Sequence, residues 1–240
     1  MSGHSKWATI KRKKAALDSK RGKEFTKLIK EITVVARLGG GDPNANSRLR
    51  LLLEKAKEVN MPMDNTVRAI KRGTGEMPGQ QYEEQMYEGY GPFGTAVVVD
   101  ALTDNKNRTV AELRRIFSSS GGSLAETGSV GWMFARMGVV HVGGKATEDE
   151  LLELLLDYEV KDISHDEEIF SITCDPKALE KIKTVLQEHG LKVEKAEVEW
   201  VAQNTVALSS EQEEKAYEFL SSLEDHEDVQ SVYTNLVTEG

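Results

Sequence analysis

The sequence predicts an α+β protein, with an N-terminal three-helix domain followed by two ferredoxin-like α/β modules, one inserted in the other. Three observations predict this class. Apolar residues recur at helical spacing between positions 23 and 73, the breaker-rich stretch GTGEMPGQ covers 73–80, and strand-like and helix-like segments alternate after it. A chain of 240 residues has room for two or three domains. The predicted domains are 1–78, 79–134 together with 204–240, and the inserted unit 135–203.

The three helices are predicted from apolar periodicity and from residues that start and stop a helix. Residues 23–37 carry six apolar side chains at helical spacing, a second helix has an apolar face from Leu49 to Val59, and a third carries Val67 and Ile70. The punctuating residues are the stop Gly39-Gly40-Gly41, the cap Asn46 or Ser47, the breaker Pro62, the cap Asp64 and the closing Gly73. Three such helices joined by short loops form a small bundle.

The remaining elements are predicted as two interleaved α/β units. The first unit comprises strands at 86–90, 95–102 and 130–134 and a helix at 107–118. A βαββαβ pattern follows, with strands at 139–142, 160–164, 169–173 and 193–201 and helices at 148–158 and 178–189. The last segments are a strand at 205–208, a helix at 211–223 and a strand at 229–235. This lone βαβ cannot bury its apolar face by itself, so we expect it to pair with the first unit.

Composition places the chain among soluble globular proteins, with 39% hydrophobic and 30% charged residues. Cys174 is the sole cysteine, which excludes an intramolecular disulfide and favours a reducing cytoplasm. No apolar run approaches the roughly 18 residues of a membrane span, and the basic N-terminus lacks the apolar region of a secretory signal. The predicted location is therefore cytoplasmic, without a membrane partner.

Charge is strongly segregated along the chain, whose net charge is −9. Residues 1–75 contain 18 Lys/Arg and 7 Asp/Glu, a net charge of +11, whereas residues 76–240 contain 13 and 33, a net charge of −20. Such asymmetry favours a polyanion-binding head on an acidic, solubilising body. The alternative is that the two parts attract each other and the head is neutralised internally.

The densest positive segment, HSKWATIKRKKAALDSKRGK at residues 4–23, is called the basic arm here. It holds eight Lys or Arg and one acid, Asp18. Cations that meet phosphates release condensed counterions, which supplies affinity independent of sequence. The candidate phosphate contacts of the arm and the helices are Lys6, Lys11, Arg12, Lys13, Lys14, Lys20, Arg21, Lys23, Lys27, Lys30, Arg37, Arg48, Arg50, Arg68, Lys71 and Arg72. The alternative for Arg48, Arg50, Arg68 and Arg72 is a solvated helix face.

Trp7 is an aromatic residue of the arm without an obvious core partner. It is suited to stack on an unpaired base, as in single-strand binders, and equally suited to fold back and pin the arm to the bundle. A second polar stretch, TDNKNRT at 103–109, presents Asn105, Asn107 and Arg108 as a contact loop. A structural role explains this stretch better, since Asn107 can cap the helix that follows.

No catalytic constellation stands out in the sequence. The five histidines are scattered without the spacing of metal ligands, and Gly143-Gly144-Lys145 departs from the phosphate-binding loop pattern G-x4-G-K-[ST]. Acid clusters such as Glu148-Asp149-Glu150 stand at helix starts, where they favour the helix dipole. The sequence therefore predicts a protein that is not an enzyme, with no metal, no cofactor and no small-molecule substrate.

Three stretches resemble the YebC/PmpR family, which includes mitochondrial translational activators of cytochrome oxidase: MSGHSKWATIKRKKAALDSKRGKEFTKLIKEITVVAR, TDNKNRT and GSVGWMF. The resemblance spans essentially the whole chain. It implies a basic helical domain and two α/β domains in a cytoplasmic protein without known catalysis. Bacterial members are described as DNA-binding transcriptional regulators, and mitochondrial and some bacterial members as ribosome-associated factors that help translation through proline-rich stretches. Carried over, it places Ser2, His4, Ser5, Lys6 and Trp7 in the nucleic-acid-facing arm.

Together these observations predict a non-enzymatic, nucleic-acid-binding regulator of gene expression. A DNA-binding transcriptional regulator is the first reading, and a ribosome-associated translation factor that contacts rRNA or tRNA is the alternative. A protein-binding scaffold that uses the acidic α/β surfaces is the alternative of another class, and an enzyme with an undetected site is a third class. Salt-sensitive nucleic-acid binding separates the first two from a scaffold.

Overall fold

The computed structural model describes residues 19–144, 146–166 and 169–238. Its first part is a three-helix head, formed by α1 (Ser19–Gly39), α2 (Ser47–Glu58) and α3 (Met63–Gly73). Helix α1 begins four residues earlier than the periodicity predicts, so the last part of the basic arm is helical. The stop at the glycine run is as expected, because Gly40 adopts a φ of 83°, which favours glycine.

Local capping and close packing fix the geometry of the head. The Asn46 side chain accepts a hydrogen bond from the Leu49 amide and so caps α2, as predicted. The predicted Asp64 cap is wrong, because α3 already begins at Met63 after Pro62 and Asp64 lies in its first turn. At Gly73 an added Cβ would clash with the Thr33 carbonyl oxygen, so glycine lets α3 pack directly on α1.

Residues 74–81 link the head to the body, which comprises the described residues from 82 to 238. The first sheet of the body has four strands in the order β3-β1-β2-β9. These are β1 (Glu83–Tyr90), β2 (Ala96–Thr103), β3 (Ser123–Ala125) and β9 (Val229–Thr234). Alternate residues of β2 serve two cores. Val97 and Val99 pack under α4 (Lys106–Ser119) and α7 (Ser210–Glu224), whereas Ala96 and Val98 pack against the opposite layer.

The predicted strand at 130–134 is wrong. Residues Gly131–Met133 form a short 3-10 turn, and the strand of this unit is β3 instead. The buried Glu88 carboxylate explains the turn, because it accepts hydrogen bonds from the backbone amides of Gly128, Val130 and Gly131 at 2.8, 2.8 and 2.6 Å. Burial raises the pKa of Glu88, but these three donors outweigh it and leave the pKa below its ordinary value.

The inserted unit has the predicted βαββαβ order. Its elements are β4 (Phe134–Gly143), α5 (Glu148–Leu154), β5 (Val160–Asp166), β6 (Ile169–Cys174), α6 (Leu179–Glu188) and β7 (Lys192–Ala202). The strands lie in the order β5-β6-β4-β7 and pair antiparallel throughout, which is the ferredoxin-like arrangement. The Thr147 and Glu150 side chains form a capping box that starts α5.

The last βαβ segment behaves differently from the prediction. Only β9 joins the first sheet, beside β2, while β8 (Val206–Leu208) pairs in parallel with β10 (Leu236–Thr238) in a separate two-stranded sheet. The outer module is thus completed by the end of the chain, as an insertion requires. The domain boundaries themselves stay predictions.

The apolar core is divided into four clusters. The cluster of the head consists only of residues between Phe25 and Ile70, and among the described residues no apolar side chain of the body belongs to it. The body has one cluster under α4 and α7, one in the inserted unit and one where β7 meets the first sheet. Within the described ranges, no helix is long and apolar enough to cross a membrane. Polar contacts such as Lys30–Asp228 and Arg37 with the Tyr82 carbonyl oxygen join the head to the body.

Candidate nucleic-acid interface

The predicted site residues of the arm lie mostly outside the described residues. This group comprises Ser2, His4, Ser5, Lys6, Trp7, Lys11, Arg12, Lys13 and Lys14. Lys20 and Arg21 belong to the first turns of α1. The described part of the candidate interface therefore begins at Lys23.

Two lysines of α1 turn towards the body rather than outwards. The Lys27 ammonium group donates a 2.8 Å hydrogen bond to the carbonyl oxygen of Glu224, the last residue of α7. One turn earlier, Lys23 forms a 3.3 Å ion pair with Asp225. Both lysines are spaced so that they lie on one face of α1. That face is therefore occupied by the C-terminal end of α7.

Lys30 continues the same face and is buried. Its ammonium group lies 2.6 Å from the Asp228 carboxylate, 3.0 Å from the Glu227 carbonyl oxygen and 5.4 Å from the centre of the Tyr82 ring. Its side chain is only 7% exposed, so in this arrangement it cannot reach a phosphate. Among the predicted phosphate contacts in the described part of the chain from Lys23 onwards, Lys30 is the only buried residue.

Asp228 is the centre of the contact between head and body. Its fully buried carboxylate accepts hydrogen bonds from Lys30 at 2.6 Å, Arg108 at 2.8 Å and the Thr109 hydroxyl at 2.8 Å. Burial alone would raise the pKa of Asp228, but the hydrogen bonds from these donors have the larger effect and lower the pKa from 3.8 to about 2. The predictions from sequence missed Asp228, because its partners lie 119 to 198 residues away and no local pattern marks it.

The 103–109 loop caps the helix that follows it, which is the structural role that the sequence predicts, but the capping residue differs from the predicted one. The helix cap is Asn105, whose side chain accepts from the Arg108 amide, and not Asn107, which lies inside α4. Arg108 bridges Asp104 and Asp228 at 3.1 and 2.8 Å. Since both the loop and Lys30 converge on Asp228, two predicted contact regions meet at a single carboxylate.

Two further predicted cations also contact the body. Arg37 donates a 2.6 Å hydrogen bond to the Tyr82 carbonyl oxygen, and Arg48 forms a 3.3 Å ion pair with Glu84. Both side chains of the second pair are more than half exposed, so this pair contributes at most about 1 kcal/mol. The head is thus partly neutralised by the body, as the alternative interpretation of the charge asymmetry had it.

Four predicted cations of α2 and α3 remain exposed. Arg50 lies on α2, whereas Arg68, Lys71 and Arg72 lie on α3 at the spacing of one helix face. Within the described parts of the chain, their side chains have no hydrogen bond or ion pair. Arg72 also lines a small cleft of about 230 Å³ between α1 and the linker residues Pro78 to Gln80. These four exposed residues of two helices are together called the outer cationic face here.

The described residues offer little for other chemistry. They include no cluster of His, Cys, Asp or Glu that could hold a metal ion. Burial raises the pKa of the Cys174 thiol to about 11, so at neutral pH it is a poor nucleophile. His141, also buried, contacts the Ser171 hydroxyl at 2.9 Å inside the inserted sheet. The exposed cations of the described helices are suited to contact a polyanion.

Known proteins with similar sequences and folds identify the family of this chain. Two sequence profiles match the chain: "TACO1/YebC protein N-terminal domain" over residues 5–76 and "TACO1/YebC second and third domain" over residues 82–236. Proteins named probable transcriptional regulatory protein from Chlorobaculum tepidum and Chloroherpeton thalassium are 54% and 55% identical over 238 residues, covering 98% of this chain and 95% of each relative. A crystal structure of a conserved hypothetical protein from Aquifex aeolicus is 43% identical, with a TM-score of 0.84 and 93% of both chains covered. The chain therefore belongs to the TACO1/YebC family.

Proposed function

We propose that this protein is a nucleic-acid-binding regulator of gene expression, acting in the cytoplasm. The observation that carries the proposal is the outer cationic face of Arg50, Arg68, Lys71 and Arg72, whose exposed charges add to the positive charge that the sequence gives to the basic arm. The body behind it has 13 Lys/Arg against 33 Asp/Glu over residues 76–240. A polyanion is attracted to the head and repelled by the body, so the charge distribution also orients it.

DNA is the target that we propose first, in a transcriptional role. The relatives from Chlorobaculum and Chloroherpeton are named probable transcriptional regulatory proteins, which supports this choice. Contacts from long, exposed cations to phosphates fix position and carry no sequence information. We therefore attribute affinity to the head and arm, and we propose no catalytic role, cofactor or small-molecule substrate.

The outer cationic face can be tested with a triple variant. Replacing Arg68, Lys71 and Arg72 by Gln should weaken binding to oligonucleotides and make the dependence of log K on log salt shallower by about 2 to 3, at roughly 0.7–0.9 per lost phosphate contact. The measurement is fluorescence anisotropy at several salt concentrations. Replacing the exposed Lys161, Lys177 and Lys181 of the inserted unit by Gln removes the same charge and should leave the slope unchanged. Equal slopes for all three proteins would contradict the proposal and favour a protein-binding scaffold.

Folded RNA on the ribosome is the second candidate target. The arrangement of cations favours it in one respect: besides the three cations on one face of α3, Arg50 lies on α2 and further cations lie in the arm, so the positive charge is not confined to one helix that could enter a major groove. A translation factor that contacts rRNA or tRNA would use such a surface to follow an irregular backbone. Trp7 would then be available to stack on an unpaired base.

Replacing Trp7 by Ala separates the two targets. If Trp7 stacks on a base, binding to single-stranded or looped RNA should weaken by about 1–3 kcal/mol, while binding to duplex DNA should change little. Trp132 offers a matched control, because its ring is 63% exposed on the acidic body and its loss should affect neither substrate. Equal losses on RNA and duplex DNA would instead indicate that Trp7 pins the arm to the bundle.

A further inference from the structure

The lysine face of α1 is bound by a short acidic segment of the body, residues 224–228, with the sequence EDHED. Four oxygen atoms of this segment hold three lysines. They are the carbonyl oxygens of Glu224 and Glu227 and one carboxylate oxygen each of Asp225 and Asp228, at 2.8, 3.0, 3.3 and 2.6 Å from the lysine nitrogens. A row of oxygens facing a row of ammonium groups is the arrangement that a phosphate backbone would also offer.

The helix end itself strengthens this contact. The 224–228 segment begins at the C-terminus of α7, where unsatisfied carbonyl groups concentrate partial negative charge. Helix α7 has no basic residue in its last turn, so it does not neutralise this charge itself. Lys27 from the head supplies the cation instead. The segment thus acts on the lysine face of α1 as a local polyanion.

The contact between head and body has features of an interface that can open. Within the described residues, the apolar cluster of the head contains no side chain of the body, and the three lysines of α1 contact the 224–228 segment through polar atoms. The pairs at its margin, such as Lys23–Asp225 and Lys55–Glu197, have side chains that are 42 to 55% exposed. Salt and competing anions screen such pairs effectively. This composition is typical of an interface within a chain that moves.

Opening would also leave no uncompensated buried charge. When the head separates, Asp228 keeps its hydrogen bonds from Arg108 and Thr109, both of which belong to the body. Lys30 would pass into water, where an ammonium group is well solvated. The large penalty for stranding one partner of a buried ion pair therefore does not apply to this movement.

We propose that the 224–228 segment is an intramolecular competitor that masks Lys23, Lys27 and Lys30, and that nucleic acid must displace the body to reach them. The proposal rests on the proposed nucleic-acid binding of the head. In the closed form, the arm and the outer cationic face make the first contacts. In the open form, the lysine face of α1 adds its contacts, and the body moves away from the polyanion that it repels.

A covalent tether across the contact tests this. In the full-length double variant Lys23→Cys/Asp225→Cys, a short bismaleimide should join the two introduced thiols, because the native Cys174 is buried. The probe is a 12-nucleotide single-stranded oligonucleotide. The tethered protein should bind more weakly than the same untreated variant, with a salt slope shallower by about 1 to 2, since Lys27 and Lys30 can no longer reach phosphates. Each single variant treated with the reagent controls for the adduct.

A second measurement separates failure of this inference from failure of the proposed function. Saturating oligonucleotide added before the reagent should lower the yield of the tethered form, because the two positions move apart. Strong binding with equal affinity before and after tethering, and an unchanged yield, would overturn the masking while leaving nucleic-acid binding intact. Absence of binding by the untreated protein at low salt would overturn the proposed function itself.

Discussion

Replacing Lys11, Arg12, Lys13 and Lys14 together by Gln should weaken nucleic-acid binding about a hundredfold or more near 0.15 M salt, at roughly 0.7–0.9 of a salt exponent per lost phosphate contact. The four residues form an unbroken run of cations in the basic arm, and the stretch from 11 to 17 contains no acid. The slope of log K against log salt should become shallower by about 3 to 4. Preference among sequences should hardly change, since phosphates carry no sequence information.

The control for this result is a variant that loses the same number of positive charges in another part of the chain. Replacing Lys161, Lys177, Lys181 and Lys192 by Gln removes four exposed cations from the inserted unit. This protein should bind like the wild type. Thermal unfolding should be nearly the same for all three proteins, because residues 11–14 precede the apolar periodicity of the head. An unchanged slope for the arm variant would show that the arm is not the binding element.

Replacing Asp228 by Ala should lower the free energy of unfolding by about 1–3 kcal/mol, the range for leaving buried hydrogen-bonding groups without their partner. The change removes the acceptor of Arg108 and Thr109, which both belong to the body and stay there when the head opens, and it also removes the carboxylate that pairs with Lys30. The affected groups connect the head, the 103–109 loop and the segment before β9. The loss should appear in urea unfolding as a lower midpoint.

Asp225 provides the matched control, since it belongs to the same segment and pairs with a lysine of the same helix. Its side chain is 55% exposed, so its replacement by Ala should lower stability by no more than about 1 kcal/mol. Similar losses for both variants would mean that burial of the Asp228 cluster does not govern stability. The comparison thus separates a buried charge cluster from a surface ion pair.

Acid should remove the contribution of Asp228 in a defined range. Its pKa is lowered from 3.8 to about 2, so the folded state favours the charged form. Its stabilising contribution is fully present above the unfolded pKa and is lost as pH falls from about 4 towards 2. The difference in melting temperature between wild type and Asp228→Ala should therefore narrow over this interval.

Local patterns predict the elements of this fold well, because helix stops, caps and apolar spacing act over a few residues. Asn46 and the glycine run at 39–41 behave as such signals. The strand predicted at 130–134 fails for the opposite reason. Its apolar residues suit a strand, but the buried carboxylate of Glu88, some forty residues earlier, draws the backbone amides into a turn. Periodicity cannot reveal an acceptor at that separation.

The same distinction applies to the candidate interface. The charge asymmetry predicts an exposed cationic head, and Arg68, Lys71 and Arg72 are indeed exposed. For Lys30 the amphipathic pattern marks only a polar position, and its burial depends on Asp228, which lies 198 residues further along the chain. A count of charges gives the net attraction of the head for a polyanion. It does not show which lysines are already paired with carboxylates of the same chain.

The pairing of β2 with β9 has a consequence for the protein during its synthesis. β2 ends at Thr103, but its neighbour in the sheet begins at Val229, one residue after Asp228. The nascent chain therefore exposes residues 1–75, with their net charge of +11, before Asp225 and Asp228, the carboxylates that pair with lysines of α1, have been made. A chain that terminates early would keep a fully unmasked polycation next to an unpaired strand edge. Such fragments should adhere to nucleic acid and aggregate, and cellular proteolysis would have to remove them.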